Sequence, residues 1–241
     1  MIPRYSRPDM ENVWSDGNMF DIWLEVEKAA TVAWAEQGVI PSTDVEKIKK
    51  ATFDREIYDR IFEDTKHDVV SFTRAISEHL GTESRWIHHG LTSNDVKDTA
   101  LGVQLKQSCY LIEKEIDRLM DALETRARTQ KNTLCIGRSH GIHAEPMSFG
   151  LKFGLWWDEM SRHKDRLGPI RERVSKCMIS GPVGTYSSVP PEIENSVAYQ
   201  IGLTPVRISN QIVQRDGHAE YLQIIALIGS TLEKIATEIR S

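Results

Sequence analysis

The segment from Asp95 to about Lys131 reads as one continuous helix, with Val96, Ala100, Val103, Leu111, Ile116, Leu119 and Leu123 marking its apolar face. Ser93 or Asn94 stands where its N-cap belongs. A helix of this length exceeds what an ordinary globular domain uses. It calls for a bundle or a coiled-coil-like core. Two further long helical patterns agree with that. One runs from Met147 to about Lys176 with Phe149, Phe153, Trp156, Trp157 and Met160. The other runs from near Gln214 to the end with Tyr221, Ile224, Ile225, Ile228, Leu232, Ile235 and Ile239.

Ahead of residue 93 the helices are shorter. Asp16 to Gln37 carries a broad stripe of Phe20, Trp23, Leu24, Glu27, Ala30, Val32, Trp34 and Ala35, stopped by Gly38. Short helices are expected from Pro41 to about Ala51 and from Asp54 to Asp64, and another follows Thr65-Lys66-His67-Asp68 and ends at Gly81. The pattern breaks over Trp86 to Asp95, which predicts a small helical N-terminal domain over 1–93 and the first part of a central long-helix bundle over 94–241. Met178 to Tyr186 is expected to form a short β-hairpin excursion, and Pro190-Pro191-Glu192 to open a short helix to Ile201. The fold class is therefore all-α with one small β element. The apolar period still runs at Ile239, so the bundle is expected to continue past Ser241.

The chain has 241 residues, 40% hydrophobic and 27% charged, with a net charge of −5. The charges are mixed along the helices, so neither a nucleic-acid nor a membrane surface is indicated. Three cysteines, Cys109, Cys135 and Cys177, without paired spacing fit a reducing, cytoplasmic setting. No P-loop, GxGxxG after a strand, GxSxG elbow or paired CxxC occurs, which removes most nucleotide-hydrolysing, dehydrogenase and serine-hydrolase chemistry.

Chemistry-bearing residues gather at the ends of helices. Gly137-Arg138-Ser139-His140-Gly141-Ile142-His143-Ala144-Glu145-Pro146 lies between two long helices, with Pro146 suited to the first turn of the second. Its histidines fit three readings: a metal pair, which lacks the glutamate of HExxH and any cysteine at zinc spacing; a capping or turn role; and acid–base work. Lys66-His67-Asp68 fits either an anion-holding helix start or Asp68 as a plain cap with His67 in solvent. Thr92-Ser93-Asn94-Asp95 is an N-cap cluster whose several donors at the positive end of a long helix also suit a carboxylate or phosphate. Gln211 to Asp216 reads as capping with a surface salt bridge, and His88-His89 and Gly181-Pro182-Val183-Gly184 are weaker signals.

Taken in order, Arg4-Tyr5, Thr65 to Val70, His88 with Gly90 to Asp95, Gly137 to Pro146, Gly181 to Thr185, Pro190-Pro191-Glu192 and Gln214-Arg215-Asp216 resemble the fumarase/aspartase superfamily. Within it they look like the branch that acts on adenylosuccinate. The resemblance implies β-elimination of fumarate from adenylosuccinate, giving AMP, and from the succinyl-carboxamide imidazole ribotide of purine synthesis. It implies a homotetramer with active sites where subunits meet, and no metal or organic cofactor. By resemblance His140 is the general acid that protonates the departing purine nitrogen. Thr92 and Ser93 bind the succinyl carboxylate region, and His67 with Lys66 and Asp68 contacts substrate. Arg4 and Tyr5 hold the phosphate side, and Gln211 hydrogen-bonds the substrate.

Two departures accompany the resemblance. Ser139 stands where the family often has threonine, which keeps the hydroxyl. The family's glycine-serine-serine-x-methionine-proline loop, which carries the general base, is expected beyond residue 241, so the chain alone is expected to be nearly inactive. A sister lyase, such as one acting on argininosuccinate or a cycloisomerase relative, is the alternative within the enzyme class. A helical assembly module without catalysis is the alternative outside it. Lys66-His67-Asp68 and Arg4-Tyr5 favour the nucleotide substrate.

Overall fold

The computed structural model describes residues 2–241, and the chain divides into two compact units. The first comprises residues up to Gln107 together with Ser175–Gln214; the second comprises Ser108–Val174 and Arg215–Ser241. The division falls inside the long helix, whose first turns belong to one unit and whose remainder belongs to the other.

The first unit is built on α1 (Pro8–Val13), α2 (Asp16–Glu36), α3 (Ser42–Ile48), α4 (Arg55–Thr65), α5 (Asp68–Ser77) and the start of α6 (Ser93–Thr129). Ser15 caps α2 by accepting the Asn18 N–H at 3.1 Å. Of the stripe read from sequence, Phe20, Trp23, Leu24, Glu27, Ala30 and Trp34 are buried and Val32 and Ala35 half-buried, and Val26 and Ala33 are buried beside them. Phe20 stacks on Phe53 at 4.4 Å, and Trp23 meets the edge of Phe72 at 5.3 Å. A buried aromatic of this kind contributes roughly 2–3 kcal/mol by area alone. Onto α2 packs α8 (Pro191–Ile201), which starts with proline in its first turn and ends on Gly202 at φ 70°. Two short strands, β3 (Lys176–Cys177) and β4 (Thr204–Pro205), pair in parallel. Gly102 lets α6 approach β3: a Cβ there would overlap the Lys176 carbonyl oxygen.

The second unit holds the rest of α6, a hairpin, α7 (Phe149–Val174) and α9 (Asp216–Arg240). From Trp156 onward the buried positions of α7 are Trp156, Met160, His163, Leu167, Ile170 and Val174, and those of α9 are Tyr221, Ile224, Ile228, Thr231 and Ile235. Both series alternate steps of three and four, the spacing of a coiled-coil seam. The ion pairs Arg173–Glu220, Lys234–Glu159 and Lys152–Glu238 run in opposite chain directions, so the helices are antiparallel. In the seam His163 Nε2 lies 2.8 Å from Thr231 Oγ1, and that hydroxyl donates to Glu159 at 2.8 Å. Thr231 has one hydrogen, so it accepts from His163, whose Nδ1 then faces Arg166 as an acceptor at 3.4 Å.

Two expectations about the small β element are corrected. The hairpin is not at 178–186 but is formed by β1 (Leu134–Ser139) and β2 (Ile142–Ser148). Gly137 to Pro146 is therefore not a loop between helices, and Pro146 sits in β2 opposite Ile136 rather than in the first turn of α7. Residues 178–181 are buried, yet side chains rather than a neighbouring strand take their N–H groups. Met178 donates to Thr99 Oγ1 at 3.0 Å, Ile179 to Glu194 Oε1 at 2.9 Å, and Ser180 and Gly181 to Asp95 Oδ1 at 3.0 and 3.3 Å.

Candidate active site

In the first unit α2 supports a turn that leads into α6. Glu27, which is 1% exposed, accepts the His88 N–H at 2.8 Å with Oε2 and meets His88 Nδ1 at 2.6 Å with Oε1. Trp34, two helical turns further along α2, donates its indole N–H to the His89 carbonyl at 2.9 Å. His88 and Gly90 both have positive φ, 64° and 77°. Glycine is required at 90, since a Cβ would stand 2.6 Å from the Ser188 carbonyl oxygen. The His88 carbonyl accepts from Leu91 N–H at 3.2 Å, which closes the turn just before Thr92 and Ser93.

Asp95 fixes the start of α6. Its Oδ2 accepts the Thr92 N–H at 2.8 Å, reaching back to the residue ahead of the helix as the acid of a capping box does. The Thr92 and Ser93 hydroxyls are half-buried and have no protein hydrogen-bond partner among the described residues. The first N–H groups of a helix are left without intrahelical acceptors, and the helix dipole favours negative charge there. The plain capping role is therefore carried by Asp95, and the two hydroxyls remain open.

At the start of α5 the cap is His67 and not Asp68. Nδ1 of His67 accepts the Val70 N–H at 3.3 Å, which leaves Nε2 as the outward ring atom. Asp68 accepts from Val69 N–H at 2.8 Å and from Lys97 Nζ of α6 at 2.6 Å. Burial works to raise the Asp68 carboxyl, but the Lys97 ammonium, the Val69 N–H and the His67 ring hold it below the usual carboxylate range. Lys66 adopts the left-handed conformation, φ 48°, that separates α4 from α5, and it pairs with Glu63 at 3.2 Å.

The remaining expected site residues are placed separately. Arg4 lies over the Tyr5 ring at 4.6 Å, and both are exposed near the N-terminus. Gln211 is exposed in the segment between β4 and α9. His140 belongs to the second unit, exposed at the tip of the β1–β2 hairpin with φ 55°, followed by Gly141 at φ 76°. Two consecutive positive φ values match the two-residue turn that the right-handed strand twist prefers. Neither helix-capping nor a helix-face pairing of His140 with His143 fits a hairpin, in which His143 sits opposite Arg138. The structure thus joins Lys66 to Asp68 at one helix start and Thr92 with Ser93 at another.

Three groups in the first unit escaped the sequence reading. Glu27 was visible there only as a carboxylate on an apolar stripe. Asp95 looked like one cap residue among four, and Glu194 gave no signal. Glu194 is buried and accepts from Tyr186 Oη at 2.8 Å as well as from Ile179. Burial raises the carboxyls of Asp95 and Glu194 against the hydrogen bonds that lower them. Burial, with the Glu194 contact, also pushes the Tyr186 phenol up to about 12. Among the described residues no group of three or more His, Cys, Asp or Glu is gathered as a metal site, and no helix is long and apolar enough to cross a membrane.

A family model described as lyase matches residues 4–241. The chain is 48% identical over its whole length to the adenylosuccinate lyase of Bacillus subtilis and 47% identical to that of Staphylococcus saprophyticus. It covers 56% of each, so it spans little more than half the length of these curated relatives. Among solved structures, a fumarate lyase from Mesorhizobium superposes with a TM-score of 0.90 at 28% identity, covering 96% of this chain and 56% of the other. A 3-carboxy-cis,cis-muconate lactonizing enzyme from Pseudomonas putida gives 0.89 at 25%, covering 97% and 56%. With all but its first three residues inside the family model, the chain belongs to the lyase family.

Proposed function

We propose that this chain is the N-terminal portion of an enzyme that releases fumarate from adenylosuccinate, leaving AMP, and from the corresponding succinyl-aminoimidazole-carboxamide ribotide. The observation that carries this reading is the 47–48% identity to two adenylosuccinate lyases along the full 241 residues. In the elimination a base takes a proton from the carbon beside a carboxylate, the carbon–nitrogen bond breaks, and its electron pair goes to the purine nitrogen. His140 supplies the proton that nitrogen needs. Thr92 and Ser93, with the N–H groups of α6, bind the succinyl carboxylate and stabilise charge that builds on it. Lys66, His67 and Asp68 contact the substrate, Arg4 and Tyr5 hold its phosphate side, and Gln211 hydrogen-bonds it. In this reading residues 1–93 form the N-terminal domain and 94–241 the first part of the central bundle. The enzyme works in the cytoplasm as a homotetramer with shared sites and without a metal or organic cofactor.

The general base is assigned to a serine loop beyond residue 241, so the 241-residue chain by itself turns over little or no substrate. The likeness to a fumarate lyase keeps a sister substrate such as argininosuccinate in view. Fumarate release measured with both substrates decides. The full-length protein is expected to act on adenylosuccinate, and His140→Ala is expected to lower kcat by about 10²–10⁴-fold. Turnover of argininosuccinate instead, or an unchanged kcat in the variant, defeats the reading or the role of His140 respectively.

A further inference from the structure

We infer that Glu27 is a positioning residue for the proposed elimination, holding the turn that delivers Thr92 and Ser93 through a two-point clamp on His88. Its bearing on the reaction rests on the reading above, in which that turn binds the substrate.

Glu27 occupies a position on α2 that its neighbours fill with apolar side chains: Trp23, Ala30 and Trp34 on the same stripe are buried. A carboxylate there is expensive to desolvate unless it is fully paired. Both of its oxygens are occupied by one residue, with the His88 main-chain N–H at 2.8 Å and the His88 ring at 2.6 Å. His88 has φ 64°, a conformation that a non-glycine side chain keeps only where its surroundings over-determine it. The clamp supplies that determination for the backbone and the ring together. A link serving the backbone alone would need only the N–H contact.

The ring contact has a chemical consequence. A carboxylate can only accept, so Nδ1 of His88 carries the hydrogen and Nε2 is the atom left for other partners. The ring side chain is 24% exposed, so Nε2 is not sealed in the core. Two charged groups act on the ring: Glu27 from α2 and Asp95 from α6. Burial alone would strip the ring of its proton, but the Glu27 hydrogen bond and the charges of Glu27 and Asp95 outweigh it and raise His88 above the ordinary histidine value. The oxygens of Asp95 are already held by the N–H groups of Thr92, Ser180 and Gly181. Glu27 is therefore the group that fixes the Nδ1–H of the ring and favours its protonated form at the start of the 88–93 turn.

The test uses the full-length protein and Glu27→Gln, which keeps the shape and one acceptor but removes the charge. The His88 ring is followed by histidine-labelled NMR titration, and kcat/KM for fumarate release is followed against pH. The wild-type ring is expected to stay protonated on the alkaline side of the ordinary histidine value. In E27Q it loses its proton at lower pH, and kcat/KM falls by about tenfold near pH 8 while changing less than about twofold near pH 6, one logarithmic step in the protonated fraction. A wild-type ring that titrates at or below the ordinary value overturns the inference. So does an equal loss of kcat/KM at every pH, which a structural role alone would give. If E27Q does not fold, the wild-type titration still decides. If the wild-type protein releases no fumarate, the functional reading fails, and the ring titration still judges the clamp.

Discussion

Asp95 stands three residues into α6, and its two oxygens accept N–H groups from Thr92, Ser180 and Gly181. It joins the helix start to a stretch of chain about 85 residues further on. Asp95→Ala leaves three donors without their acceptor in a fully buried place. We expect a loss of about 3–5 kcal/mol in urea denaturation, with Asp95→Asn, which keeps one acceptor oxygen, losing less. A loss under about 1 kcal/mol for the alanine variant would mean that the 178–181 segment finds other acceptors. Sequence could read part of this. The cluster Thr92 to Asp95 announces a cap, because capping is local and depends on residues three apart. That the same carboxylate also binds residues 180–181 is set by tertiary packing and leaves no local trace. Glu27 is a similar case. Its place on an apolar stripe is visible, but its partner His88 is 61 residues away. At α5 the sequence located the cap cluster and named Asp68, whereas His67 performs the capping because Lys97 engages Asp68.

At the level of elements, helices were legible and the hairpin was not. Long helices repeat their apolar positions many times, so α2, α6, α7 and α9 appear within a few residues of their expected bounds. The hairpin has no buried face to impose alternation: Leu134, Ile136 and Ile142 are all exposed. Its turn is His140-Gly141, which lacks the asparagine-glycine signature. Alternation failed in the other direction over residues 178–181, where backbone partners are side chains instead of a strand. α9 also carries a second apolar series on its outer side. Ile225, Leu232 and Ile239 are spaced by seven and lie at least 36% exposed, beside exposed Leu222. A heptad series facing solvent is the pattern of a helix face that a partner covers, and in the homo-oligomer proposed above that partner is a second copy. We expect the protein to sediment as an oligomer, and Leu232→Lys with Ile239→Lys to shift it toward smaller species at the same concentration. An unchanged distribution in the double variant would remove this face from the assembly.

For the molecule as a whole, the chain does not form its units one after the other. The first is completed only when Ser175–Gln214 returns to the residues up to Gln107, bringing buried Cys177, Ile179, Ile193 and Val197 into one core with Phe20, Phe72 and Ala100. The sequence reading recognised the all-α class and the long-helix character. Periodicity reports where elements start, and it says nothing of which distant segments share a core.

The His163 relay in the α7–α9 seam has a further consequence. His163 is held neutral by burial and by the nearby Arg166, Arg162 and Lys234, against the pull of Glu159. Its folded value lies below the unfolded one, so the unfolded chain takes up more protons, and the seam weakens as pH falls below about 6.5. His88 has the opposite sign. Its contribution is complete below about pH 6.5 and is lost as pH rises through its raised folded value. Hydrogen exchange, corrected for intrinsic rate, is expected to show residues 86–95 opening more at about pH 8 and residues 224–235 opening more at about pH 5.5. A common direction in both segments would contradict one of the two protonation states. The two halves of this chain thus answer a change in acidity in contrary ways. Because the two losses lie on opposite sides of about pH 6.5, a single melting curve records one maximum near that value, and its acid and alkaline flanks belong to different parts of the chain.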